Sequence, residues 1–140
     1  MDIFIKIFFS LIFGGILGAE RERAGKAAGL RTYMLVTLAS TTFTIVAKEA
    51  EKFFQSPNYD PGRILGQVIL GIGFIGAGII IYHGEHVRGI TTAAGLWVAT
   101  AVGLLIGIEL YLIALVVTII SFIILAIFPM IEGKIEGEKK

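Results

Sequence analysis

The stretch ILGQVILGIGFIGAGIIIY, residues 64–82, decides the fold. Inside it, Gly71-Ile72-Gly73-Phe74-Ile75-Gly76 spells GxGxxG, a pattern that can wrap a dinucleotide pyrophosphate. That fingerprint needs a preceding strand, a helix opening at the glycines and an acid about 20 residues on. Here the glycines lie within an apolar run, and Leu96 stands where the acid should be. The run is long enough to cross a membrane as a helix, which takes about 20 residues. In such a helix Gly66, Gly71, Gly73, Gly76, Ala77 and Gly78 strip side chains away, so that another helix can approach closely.

Working outward, four more apolar blocks flank this one: Ile3–Ala19, Thr32–Ala47, Ile90–Gly107 and Leu110–Ile131. Too little polar chain remains to cover five such blocks in water. The apolar fraction is 56%, against about 45–50% in soluble domains, and the mean hydropathy is +0.86. In lipid each segment must satisfy its own backbone, and helices do so. The fold class is therefore an all-α membrane protein of about five transmembrane helices. Lys6 is only a weak n-region, and no convincing cleavage site precedes Glu20-Arg21-Glu22-Arg23, so the first block is read as helix one rather than a signal peptide. There is no cysteine, which excludes disulfides and thiolate metal sites, and a net charge of +1 gives no pointer to nucleic acid.

Lys and Arg set the orientation. With the N-terminus outside, the inner side holds Arg21, Arg23, Lys26, Arg31, Arg88, Lys134, Lys139 and Lys140, eight of the 12. Lys6, Lys48, Lys52 and Arg63 remain outside. The expectation is N-terminus outside and C-terminus cytoplasmic, with residues 1–131 as the membrane domain and 132–140 as a charged cytoplasmic tail. Residues 20–31 and 83–89 read as inner loops, and residues 48–63, with Pro57 and Pro61, as the longest outer loop. Gly18, Gly29, Thr32 and Ala39 recur at an offset of 60 as Gly78, Gly89, Thr92 and Ala99, a hint of parallel repeats or chance in a biased composition.

Polar residues near the bilayer interior must find partners. Glu20, Arg21, Glu22, Arg31 and Arg88 gather at inner helix ends, either as solvated charges or as a network in which Arg31 or Arg88 pairs with Glu20 or Glu22. Asp60, Arg63 and Gln67 cluster at the outer end of helix three, and Thr91, Thr92, Trp97 and Thr100 line helix four. Trp97 lies mid-span rather than in the interfacial belt, which suggests packing or a cavity wall. GxxxG pairs at Gly14/Gly18 and Gly103/Gly107 join Gly71, Gly73, Gly76 and Gly78 as expected helix contacts, within the chain or to a partner. His83, Glu85 and His86 share a turn but lack a spaced further ligand, so no metal site and no cofactor are expected. No nucleophile–base pair or phosphate loop is present, so an enzyme is not expected.

The ordered blocks Gly18-Ala19-Glu20-Arg21-Glu22, Ala28-Gly29-Leu30-Arg31-Thr32, Asp60-Pro61-Gly62-Arg63-Ile64, Gln67, Gly71–Gly78, Val87-Arg88-Gly89-Ile90-Thr91-Thr92-Ala93-Ala94 and Leu96-Trp97 resemble the MgtC/SapB family over nearly the whole chain. The resemblance implies a bacterial inner-membrane protein associated with magnesium limitation. It also implies action by binding other membrane proteins, including the proton-translocating ATP synthase. Longer members carry a cytoplasmic C-terminal domain resembling an ACT fold, and this sequence reads as a short form with the membrane domain alone. Tyr33 stands where many members have His or Asn, and Val98 and Thr91 where some have Cys and Asn. The expected partners are the lipid bilayer, a membrane protein such as ATP synthase and, at the glycine faces, a second copy. The competing expectation is a transporter or channel for magnesium or another cation, which needs oxygens along a wet path.

Overall fold

The computed structural model of the protein describes residues 3–54, 58–83 and 86–137. Five helices carry the chain: α1 (Ile3–Arg23), α2 (Leu30–Phe54), α3 (Pro61–Ile79), α4 (Ile90–Gly107) and α5 (Tyr111–Gly137). All five are long and apolar enough to cross a membrane. Between α3 and α4, strands β1 (Ile81–His83) and β2 (His86–Arg88) pair antiparallel, with Tyr82 opposite Val87. Ile81 and Tyr82 are thus strand rather than the expected helix, and His86–Arg88 are strand within the polar turn expected at 83–89. Gly84 and Glu85 lie outside the described residues, and no metal-ligand cluster occurs among the residues that are described.

Local chemistry ends each helix. At the end of α1, Gly25 takes a φ of +62°, the Gly25 amide donates to the Glu22 carbonyl and the Lys26 amide to that of Arg21. This pair of bonds satisfies the orphan carbonyls of a helix C-terminus, and glycine enters the left-handed region without steric cost. The Glu22 carboxylate then accepts the Leu30 amide at 2.7 Å and starts α2. Asp60 caps α3 by accepting the Gly62 amide at 2.8 Å, with Pro61 at the first helical position. At the α4–α5 turn the left-handed position falls on Glu109, φ +71°, with the Glu109 amide bonded to Ile106 and the Leu110 amide to Leu105. A non-glycine residue is strained there, and the Glu109 carboxylate is held by Lys6 at 2.9 Å.

α4 is the centre of the bundle and touches each of the other four helices, whereas α3 and α5 are mostly exposed. The tight unit is α1–α2–α4, and glycine makes it tight. A Cβ on Gly14 would stand 2.6 Å from Thr37 Oγ1, and one on Gly18 2.7 Å from Leu30 Cα. On the other flank of α2, a Cβ on Gly103 would meet Ser40 Cβ at 2.7 Å, and Gly107 is closed by Thr44. Small residues let the backbones approach this far.

Helix three corrects one expectation. Gly71, Gly73 and Gly78 have no heavy atom within 4 Å of a built Cβ, and Gly76 meets only Ala93 at an ordinary 3.5 Å. The glycine-rich helix is thus not the close-packed one within this chain, because α3 reaches α2 and α4 through Ile72 and Gly76 and leaves its other flanks open. A second correction concerns helix ends. α2 runs to Phe54, past the apolar block that ends at Ala47, and α5 continues through residues 132–137 of the expected tail. Apolar patterning marks the membrane core, not the hydrogen-bonded helix. The offset of 60 has a partial counterpart: α2 and α4 each open one residue after a glycine, Gly29 and Gly89, but Gly18 is tightly packed and Gly78 is open.

Candidate functional site

Of the charged groups at the basic end of the bundle, Arg21 is the one the fold buries. Its side chain is 1% exposed. Nε pairs with the Glu20 carboxylate of its own helix, and Nη2 donates to the Leu125 carbonyl of α5 at 2.6 Å. That carbonyl is available for a definite reason. In a continuous helix it would accept the amide four residues on, and residue 129 is proline, which has none. Pro129 releases the carbonyl and Arg21 takes it, which ties α1 to α5.

The expected pairing of Arg31 or Arg88 with Glu20 or Glu22 is corrected. Arg31 and Arg88 are exposed, and neither makes an ion pair among the described residues. The two acids are engaged nearer by, Glu20 by Arg21 and Glu22 by the first amide of α2, so the arginines are left to the surface.

At the other end, three segments meet on Glu109. Lys6 of α1 is buried; its Nζ contacts the Glu109 carboxylate and donates to the Gly107 carbonyl at 3.0 Å. Lys48 of α2 adds a 3.7 Å contact. The hydrogen bond and charge of Lys6, and then the charge of Lys48, hold the Glu109 carboxyl below the usual carboxylate range. Sequence reading treated Lys6 as a topology marker. Its signal was nonetheless present, since a lysine inside an apolar block needs a partner. Asp60, Arg63 and Gln67 do share a surface pocket with Asn58 and Tyr59. Asp60 spends an oxygen on the helix cap, and the Tyr59 hydroxyl anchors the loop to the Ala47 carbonyl at 2.7 Å.

Between the ends, hydroxyls line the interior. Thr37, Ser40, Thr44, Thr100 and Thr118 each donate to the carbonyl four residues back, Ser10 to that of Ile7, and Thr41 crosses to the Gly103 carbonyl at 2.9 Å. Tyr33, fully buried, reaches the Thr92 carbonyl at 3.3 Å. Thr92 and Thr100 are buried, whereas Thr91 and Trp97 are exposed. Trp97 walls an apolar cavity of about 220 Å³ with Ile69 of α3 and Val117 of α5. A larger cleft of about 380 Å³ lies between α2 and α3, lined by Val36, Phe43, Gln67 and Gly71, with Ser40 and Thr100 also contributing.

The model of the MgtC family matches residues 7–134. The chain belongs to the MgtC family. It is 37% identical to the putative magnesium transporter YhiD of Escherichia coli (strain K12) over 137 residues, 96% of this chain and 64% of that protein. It is 39% identical to protein MgtC of Salmonella typhimurium (strain LT2) over 116 residues, 83% of this chain and 48% of that one. Against protein MgtC of Brucella abortus it is 38% identical over 124 residues, covering 88% and 50%. The chain thus spans about half to two thirds of these relatives' lengths. No solved structure matches it. Family and helices together make this a multi-pass bacterial membrane protein. The family match takes in the buried Arg21, Glu109 with Lys48, and the α1–α2–α4 glycine contacts, and begins one residue after Lys6.

Proposed function

We propose that this MgtC-family chain is a membrane regulator that acts under magnesium limitation by binding another membrane protein, without catalysing or conducting. The observation that carries this reading is how the interior is finished. Among the described residues, seven of the eight buried Ser and Thr side chains donate to backbone carbonyls, six of them within their own helix. Such hydroxyls have spent their one proton on backbone, and what they could still offer an ion is neutral oxygen. Mg²⁺ sheds water reluctantly and is usually held through one or two carboxylates; Glu20, Glu22, Glu109 and Asp60 stand at helix ends or in turns. In this reading the basic end faces the cytoplasm, following the Lys and Arg bias.

The partner surface is the uncovered side of α3 around Gly73, where nothing lies within 4 Å of a built Cβ and a foreign helix can approach. The proton-translocating ATP synthase is the partner that the family resemblance implies. A photo-reactive residue at position 73, in the full chain in native membranes, is expected to capture a transmembrane subunit of that enzyme; capture of lipid alone at this position refutes the docking surface. The second reading is a magnesium transporter, the activity in the name of the Escherichia coli relative. The α2–α3 cleft with Gln67, Ser40 and Thr100 is the feature that favours it.

A further inference from the structure

One buried threonine departs from the pattern. Thr92 is 3% exposed, as enclosed as its neighbours, yet its side chain makes no hydrogen bond among the described residues, while every other buried Ser and Thr does. Thr92 lines a cavity of about 450 Å³ at the basic end, together with Gly25, Lys26, Ala27, Arg88 and Gly89. Among the described residues no acidic side chain lines that cavity, and two of the six that do line it are cations. Neither Lys26 nor Arg88 forms an ion pair among the described residues.

The cavity also lies at the start of α4. Gly89 opens that helix at φ +93° with no side-chain cap. A Cβ there would run into the Ile79 carbonyl, so the position admits only glycine. The first amide with an acceptor inside the helix is that of Ala93, bonded to the Gly89 carbonyl at 2.9 Å. The amides of Ile90, Thr91 and Thr92 are therefore the orphan donors of a helix N-terminus, carrying the positive end of its dipole.

We propose that this cavity is a phosphate-binding site. An orphan amide at a helix N-terminus, an uncommitted hydroxyl on a buried residue, a guanidinium and an ammonium are the donor set that a tetrahedral phosphate anion satisfies. Thr92, with its hydroxyl and its orphan amide, supplies directed hydrogen bonds; Arg88 and Lys26 supply the countercharge. The same chemistry fits two sources, a phospholipid headgroup at the membrane surface and a soluble phosphate. The site stands whether or not the chain binds a partner through α3.

The test uses the full chain in a maltoside detergent, which contains no phosphorus. Inorganic phosphate is titrated by ³¹P NMR, and phosphatidylglycerol retention is followed by native mass spectrometry. Saturable phosphate binding assigns a soluble ligand, and retention of the lipid without phosphate binding assigns a headgroup. In either case Arg88→Gln and Thr92→Val are expected to weaken binding at least about ten-fold, and Thr92→Ser to restore it. The affinity is also expected to fall with added salt. Helical content checks that each variant folds. Binding of neither probe, or binding that the folded Arg88→Gln and Thr92→Val variants leave unchanged, overturns the proposal.

Discussion

Arg21→Met is expected to destabilise the bundle by roughly 3–5 kcal/mol, the range for breaking a buried charge pair from one side. The arginine is fully enclosed, and its removal strands the Glu20 carboxylate and the Leu125 carbonyl together. Pro129 makes the mechanism separable. Pro129→Ala returns an amide to residue 129 and lets Leu125 close its own helical bond. In that background the cost of Arg21→Met should fall by about 1–3 kcal/mol, the cost of an unsatisfied buried carbonyl. Unfolding titrations of the four proteins in mixed micelles measure the coupling. Strictly additive costs would mean that Arg21 acts on Glu20 alone and that α5 is held by packing.

The second large effect lies at the α2–α4 contact. Gly103→Leu pushes a side chain into the Thr37 backbone and Ser40, and it breaks the geometry of the Thr41 bond to the Gly103 carbonyl. Overpacking of a close contact costs about 1–3 kcal/mol, and more where the obstacle is backbone. The expected outcome is loss of most of the folded, extractable protein. Gly73→Leu on the open flank of α3 should change stability by less than about 0.5 kcal/mol. Equal losses from the two, read as the monodisperse fraction after extraction, would contradict the packing described for both helices.

These two sites also mark where the sequence was legible. Five spans could be read because apolar blocks of membrane length have few other uses in so short a chain. Asp60-Pro61 announced the start of α3 because cap and proline chemistry is local. What could not be read is which glycines touch anything. Gly73 and Gly103 sit in equally apolar runs, and only the three-dimensional neighbours distinguish them. Charge pairing failed for a related reason. Arg31 and Arg88 looked like partners for Glu20 and Glu22 because all four gather at one end, but a sequence gives the end and not the depth. Arg21 is buried beside its neighbour in sequence, and its second ligand is a carbonyl freed 104 residues away. Pro129 was the visible trace of that ligand, since a proline within an apolar block always leaves one helical carbonyl without its amide.

A purified chain reconstituted in liposomes around a magnesium-sensitive dye separates a regulator from a transporter. No protein-dependent rise in internal Mg²⁺ is expected across a steep inward gradient, because all but one of the described buried Ser and Thr hydroxyls spend their proton on carbonyls and the described acids stand at the ends. Saturable uptake that follows the amount of protein and disappears in Gln67→Leu, at the mouth of the α2–α3 cleft, would contradict it and make the chain a transporter.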